Sequence, residues 1–207
     1  NTATEERTIN MVINAWQQMG GRDQLLPSGK LLVLPETVRL QPGESTRVRV
    51  ALKLSGPLWE EQAFQLQLTE VSRIPDIGSA KTHSAINRMT RRSNVQVFLL
   101  PPGKVSPRIA WNVDRSPDGT ILLTASNSGQ AHVQLHSTSL VGPYGQRIEM
   151  NNLSSVILPG GSRSWKLMED VTGGLWQLTA NTNAGDMQAE LELGPDFAAS
   201  RSLTLSE

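Results

Sequence analysis

Apolar and polar residues alternate in short runs along most of the chain. The run 9–16 places Ile9, Met11 and Ile13 at every second position, and the run 64–69 does the same with Phe64 and Leu66. A period of two is typical of a β-strand with one face against a core. Gly and Pro residues punctuate these runs about every ten residues, as in β-sandwiches. We therefore predict an all-β fold.

The clearest alternation follows a turn. In Gln41-Pro42-Gly43-Glu44, the proline at the second position and the glycine at the third predict a type II turn. The run 48–54 then carries Val48, Val50, Leu52 and Leu54 on one face, with polar or small residues between them. This pattern predicts a strand with one buried and one solvated face.

The second half repeats this organisation and indicates a second domain. Asn127-Ser128-Gly129 predicts a turn or bulge, and the segment 181–185 predicts a hairpin between two strands. A chain of 207 residues fits two small domains. The sequence Pro101-Pro102-Gly103 is the best linker, so we predict domains at 1–101 and 102–207. Only residues 56–61 show a weak helical pattern.

Composition narrows the function. Lys+Arg and Asp+Glu both number 19, which argues against a nucleic-acid partner, and the chain has no cysteine for thiol chemistry or Cys-based zinc sites. No apolar run approaches the roughly 20 residues of a membrane helix, so we expect no membrane insertion. His132 and His136 are expected to be solvated strand residues, and Glu60 and Glu61 to lie on a solvated face. We find no nucleophile motif and no metal-ligand set, and we expect neither an enzyme nor a cofactor.

An arginine cluster stands out beside an apolar strand. The cluster comprises Arg88, Arg91 and Arg92. It lies where the weakly patterned stretch 72–90 ends and the strand that carries Val95 and Val97 begins. The cluster has two interpretations: charges that protect an exposed edge strand from unwanted pairing, or guanidinium groups that bind a carboxylate. An open strand edge next to a carboxylate receptor is what a protein that binds by strand addition requires.

The block from Leu32 to Val50 resembles the signature of periplasmic pilus chaperones of the chaperone–usher pathway. It has a Pro, an apolar-basic strand, a Pro-Gly-Glu turn and a strand that begins with a basic residue. The segments 69–75, 97–101, 127–129 and 157–161 match the same family more weakly. The resemblance covers nearly the whole chain.

The resemblance implies two immunoglobulin-like β-sandwich domains arranged as a boomerang. It also implies a periplasmic chaperone that completes the fold of a pilus subunit with its own strand and delivers the subunit to an outer-membrane usher. On this chain the donor strand is 88–100, preceded by a loop, with Ala85, Ile86, Met89, Val95 and Val97 as donor residues. Arg91, Arg92 and Arg88 are the residues that would bind the C-terminal carboxylate of the subunit.

Three features depart from the family pattern. Gln96 stands where the usual cleft lysine lies, so Arg91 or Arg92 must serve, which indicates a divergent, archaic or alternate branch. Asn87 and Arg91 occupy positions where apolar donor residues are expected. The family's first strand would precede Asn1, so we expect that strand to be missing from this sequence, which also has no signal segment. The free protein could self-associate.

A second hypothesis is an immunoglobulin-like structural subunit of a pilus or adhesin. Such a subunit would self-associate or bind glycan, and the segment 196–207 could serve as its donor extension. A third hypothesis is an all-β hydrolase, but the sequence shows no set of candidate catalytic residues that supports it.

Overall fold

A computed structural model of the protein describes residues 1–53, 56–71, 90–116, 120–167, 171, 173–194 and 201–203. Every regular element in these ranges is a β-strand, which confirms the all-β prediction. The strands are β1 Arg7–Met19, β2 Arg22–Pro27, β3 Leu31–Leu34, β4 Thr37–Leu40, β5 Arg49–Leu52, β6 Gln62–Val71, β7 Thr90–Leu99, β8 Ile109–Arg115, β9 Ile121–Asn127, β10 Val133–Val141, β11 Arg147–Ile157, β12 Ser162–Leu167, β13 Gly174–Thr182, β14 Gly185–Leu193 and β15 Arg201–Leu203.

The chain divides into two compact units. The first comprises Asn1–Trp16, Leu25–Gly56 and Gln62–Phe98, and the second comprises Gln17–Gln24, Pro57–Glu61 and Leu99–Glu207. The second unit therefore includes two short segments from the first half of the sequence. The division into independent domains at residue 101 stays a prediction.

The first unit is built on a sheet with the strand order β2-β1-β6-β7, in which β4 also pairs with β1. Met11 and Ile13 lie opposite Leu68 and Leu66, and this face of the sheet holds the buried core, as the alternation predicts. On the other face Val12 is exposed. The type II turn is confirmed, because Gly43 has a φ of 78° and the N–H of Glu44 donates to the carbonyl of Gln41 at 3.0 Å.

The predicted buried face of β5 is wrong. Val48, Val50 and Leu52 expose 36%, 40% and 52% of their surface. β5 is four residues long and forms a two-stranded sheet with β3, opposite Leu31 and Val33. Leu31 and Val33, on the same face of this sheet, are buried, so the face is covered at β3 and remains open to solvent at β5.

The second unit is a sandwich around one core. The sheet β11-β10-β13-β14-β15 packs against the sheet β12-β9-β8, and alternate residues of β8, β9, β13 and β14 lie in the core between them. The predicted hairpin is confirmed, since β13 and β14 pair up to Thr182 opposite Gly185. Trp176 lies fully buried at the centre of this core.

Asn127 explains the Asn-Ser-Gly motif. Its buried side-chain oxygen accepts the N–H groups of Arg108 and Gly129 at 3.1 and 2.9 Å. Its amide nitrogen donates to the carbonyls of Ala131 and Ile157 at 2.7 and 3.2 Å. A Cβ on Gly129 would lie 2.4 Å from the backbone nitrogen of Arg108, so only glycine fits there. The motif joins three loops through one fully satisfied amide.

Residues 56–61 form no helix, contrary to the weak prediction. The N–H of Glu61 donates to the carbonyl of Gln130 at 2.9 Å, and the side chain of Gln130 donates to the carbonyl of Trp59 at 3.0 Å. These bonds tie the backbone of Trp59 and Glu61 to Gln130, so the segment is held in an irregular conformation.

Candidate functional site

The strand β7 carries the candidate site. It spans ten residues, Thr90–Leu99, and it is the last member of the sheet β2-β1-β6-β7, where β6 is its neighbour among the described strands. A strand in this position presents a row of backbone N–H and C=O groups that another extended chain can bind. β7 covers residues 90–99 of the predicted donor strand, and its use as a donor strand stays a prediction.

The two faces of β7 carry different chemistry. Phe98 packs its ring against that of Trp16, with centroids 6.3 Å apart and planes tilted by 42°. Because successive side chains of a strand point to opposite faces, Arg92 shares the face of Phe98. Arg91 shares the other face with Val95 and Val97, of which Val95 is 49% exposed.

Both arginines of β7 are available to a ligand. Arg91 and Arg92 are exposed, and no ion pair among the described residues involves either of them. A guanidinium group binds a carboxylate through two parallel hydrogen bonds. Their opposite orientation means that one carboxylate on one face of the strand meets one arginine, not both.

Several predicted site residues cannot be placed. Ala85, Ile86, Arg88 and Met89 lie outside the described residues. Of the predicted set, the structure brings Arg91, Val95 and Val97 to one face of one strand and puts Arg92 on the other.

The sequence patterns missed a polar contact in the second unit. Glu61 was expected on a solvated face and His132 in solvent, but Glu61 is only 5% exposed, and its carboxylate lies 2.6 Å from Nδ1 of His132. The side chain of His132 is itself 17% exposed. Both predictions are wrong, because Gln130 binds the backbone of Glu61 and brings the acid to the histidine. These residues are 71 positions apart, so no local pattern could reveal the pair.

The amide of Asn183 defines how His132 is oriented. Its oxygen accepts the N–H of Gln134 at 2.8 Å, so its nitrogen faces Nε2 of His132, at 3.4 Å. Nδ1 of His132 thus faces the carboxylate of Glu61, and Nε2 faces the amide of Asn183. His132 therefore anchors the segment Pro57–Glu61 within the second unit.

The described part of the chain contains neither a candidate metal site nor a candidate membrane-spanning helix. No group of three or more His, Cys, Asp or Glu residues there is placed to hold a metal ion. Across the same residues, no helix has the length and apolar character needed to span a membrane.

Several solved structures with a similar fold are pilus chaperones. The CsuC–CsuE chaperone–tip adhesion subunit pre-assembly complex, from archaic chaperone-usher Csu pili of Acinetobacter baumannii, matches with a TM-score of 0.66 and 15% identity over 92% of this chain and 87% of that chain. The YadV chaperone matches with a TM-score of 0.61 and 14% identity over 93% and 88% of the two chains. The CupB2 chaperone of Pseudomonas aeruginosa matches with 0.53 and 16% over 94% and 89%.

No protein-family model and no curated protein sequence matches the chain significantly. The structural matches nevertheless cover both units, so the chain has the two-domain, immunoglobulin-like fold of pilus chaperones. This result confirms the predicted fold class and the resemblance read from residues 32–50. At these identities the likeness concerns the fold.

Proposed function

We propose that this protein is a periplasmic chaperone of pilus subunits that binds them by strand addition along β7 and passes them to an outer-membrane usher. The observation that carries the proposal is the position of β7 at the end of its sheet, with Val95 exposed on the strand. The fold shared with pilus chaperones supports it. A binding protein of this kind needs no catalytic group, and the proposal assigns no enzymatic activity to the chain.

Backbone pairing would supply the affinity of this site. An incoming strand forms hydrogen bonds with the free edge of β7, and its side chains alternate between the two faces. Val95 and Val97 then contribute apolar area on the face that carries Arg91. Strand addition satisfies the backbone groups of both partners at once, which explains how an incomplete subunit could be kept folded.

A terminal carboxylate would fix the register of the added strand. Arg91 and Arg92 project from opposite faces, so the proposal assigns the subunit's carboxylate to one of them, and the single variants identify which. Removing the arginine that pairs with a desolvated carboxylate costs about 2–5 kcal/mol. The other arginine then has the role of an edge charge that limits unwanted pairing.

The first experiment is co-expression with a pilus subunit encoded beside this protein's gene. We expect a one-to-one complex, a loss of about thirtyfold or more in affinity for either Arg91→Ala or Arg92→Ala, and little change for the other. Arg39→Ala is the matched control, because Arg39 is an exposed arginine on β4 of the same sheet. Normal binding by both variants would contradict the carboxylate assignment.

Amide hydrogen exchange tests the strand addition directly. In the free protein, the β7 amides that point away from β6 should exchange quickly, whereas in the complex they should be protected. If protection appears elsewhere and β7 is unchanged, the binding mode is wrong. The rival function, a structural pilus subunit, predicts concentration-dependent self-association of the purified chain without any subunit, which size-exclusion chromatography with light scattering would show.

A further inference from the structure

A hairpin tip from the first half of the sequence belongs to the second unit. The tip comprises Gln17–Gln24, which contains the end of β1, the turn Gly20-Gly21 and the start of β2. Met19 of the tip is 60% exposed, whereas its neighbour Gln18 is partly buried. Successive side chains of a strand point to opposite sides, so the tip contacts the rest of the unit through Gln18 and leaves Met19 in solvent.

The side chain of Gln18 uses both ends of its amide group. The nitrogen donates to the carbonyl of Val156 at 2.8 Å and to the carboxylate of Asp23 at 3.1 Å. The oxygen accepts the N–H of Leu158 at 3.0 Å. A Cβ on Gly161 would lie 2.2 Å from this oxygen, so the glycine leaves the space that the side chain of Gln18 occupies.

Arg163 makes a second set of contacts with the tip. Its guanidinium group binds both carboxylate oxygens of Asp23, at 2.6 and 2.5 Å, and donates to the carbonyl of Gly21 at 3.3 Å. The side chains of Arg163 and Asp23 are 22% and 39% exposed. An ion pair with this exposure contributes modestly to stability, and dissolved salt weakens it.

We propose that the tip Gln17–Gln24 is a releasable latch on the second unit, which opens while the core of this unit stays folded. The side chains that close the latch are those of Gln18, Asp23 and Arg163, and none of them belongs to the apolar core cluster. Polar contacts near the surface open more readily than a buried core does, because water replaces each lost partner. Ionic strength controls the latch, since salt screens its ion pair.

The amide of Leu158 reports directly on the latch. Its N–H loses its acceptor when the tip detaches, so its hydrogen exchange, followed by NMR on the full chain, measures the open population. We expect it to exchange about a hundredfold or more faster than the amide of Leu123, a fully buried residue in the middle strand of the sheet β12-β9-β8. Its exchange should also be about two- to fivefold faster in high salt than in low salt. Equally slow exchange of both amides, or no response to salt, would overturn the inference.

Removing the charge of Asp23 tests the ion pair. Asp23→Asn keeps the shape of the side chain, so we expect the exchange of Leu158 to become about two- to fivefold faster and to lose most of its salt dependence. Glu149→Gln is the matched control, because it removes the charge from another exposed ion pair of the second unit, the one with Arg147. The control should leave the exchange of Leu158 unchanged. Equal effects of the two substitutions would show that the ion pair does not control the latch.

Gly161→Ala tests the contact of Gln18. The added methyl group takes the place of the Gln18 oxygen, and this flexible side chain moves aside. We therefore expect the exchange of Leu158 to become about tenfold or more faster, with that of Leu123 unchanged. Gln18→Ala removes the same acceptor without adding an atom beside Leu158, and it should act in the same direction. Protection of Leu158 that survives in Gln18→Ala would refute the latch.

Discussion

Thr138 places a hydroxyl group in the core of the second unit. The residue is 1% exposed on β10, opposite Ala180 of β13 and Met150 of β11, and among the described residues its Oγ1 has no hydrogen-bond partner. Thr182, in the same sheet, is different, because its hydroxyl donates to the carbonyl of Gly185 at 2.6 Å and accepts the N–H of Ala184 at 3.0 Å. An unpaired buried polar group costs about 1–3 kcal/mol.

We therefore expect Thr138→Val to raise the free energy of unfolding by about 1 kcal/mol, since valine has nearly the same shape and no hydroxyl to desolvate. Urea unfolding followed by tryptophan fluorescence measures this change. The same substitution at Thr182 should lower the free energy of unfolding by about 1–2 kcal/mol, because it leaves the N–H of Ala184 without its acceptor. A destabilised Thr138→Val protein would show that the hydroxyl has a partner.

The burial of Glu61 could not be predicted from its neighbours in the sequence. A pair of adjacent glutamates in a polar segment indicates a solvated face, and Glu60 is indeed exposed. Its neighbour Glu61 is buried because His132, 71 positions away, supplies the hydrogen bond that makes burial of a carboxylate possible. Exposure of a charged residue depends on partners that only the folded chain brings close.

Among the elements, the conformation of a turn is predicted better by its local sequence than the burial of a strand is. Gly43 adopts a φ of 78° in the predicted turn, a value that residues with a Cβ adopt only at a cost. β5 follows directly in sequence and has the clearest alternation, yet its apolar face is exposed. A turn is determined by its own residues, whereas the burial of a strand depends on what packs over it.

The turn offers a paired test of backbone strain. We expect Gly43→Ala to lower the free energy of unfolding by about 1 kcal/mol, because alanine is strained at this φ although no atom lies within 4 Å of the added Cβ. Gly29→Ala is the control, since that Cβ also meets nothing within 4 Å and the backbone there is not left-handed. Gly29→Ala should be neutral or slightly stabilising in thermal unfolding followed by circular dichroism. Equal effects of the two substitutions would contradict the argument.

At the scale of the whole molecule, the described part of the second unit holds one continuous buried apolar cluster. The core cluster of the second unit runs from Ile109 to Leu193 and lies entirely within the predicted second domain. Segments from the first half of the sequence add polar contacts to this unit; for example, Gln18 donates to the carbonyl of Val156 at 2.8 Å, and Arg163 binds the carboxylate of Asp23 at 2.5–2.6 Å. These contacts are polar and partly exposed, so the core does not depend on them.

We predict that a fragment of residues 99–207 folds on its own. It should show a cooperative urea transition and a near-ultraviolet circular dichroism spectrum from its packed tryptophans, since it keeps the complete core cluster. Adding the substitution Arg163→Ala to the fragment should change its stability by less than about 0.5 kcal/mol, because Asp23 is absent there. In the full chain the same substitution should cost about 1 kcal/mol. A fragment without a cooperative transition would show that the second unit needs the segments Gln17–Gln24 and Pro57–Glu61.

The sequence alone determined the strand content, the type II turn at Gly43 and the existence of two β-rich halves, because period-two alternation and turn residues act over a few positions. It also pointed to residues 88–100 through the resemblance. Only the tertiary structure decided that β7 is the last of the described strands of its sheet, that the apolar face of β5 is exposed, and that Glu61 is buried against His132. Each of these depends on which distant segment packs beside a residue, and packing partners are a property of the folded chain.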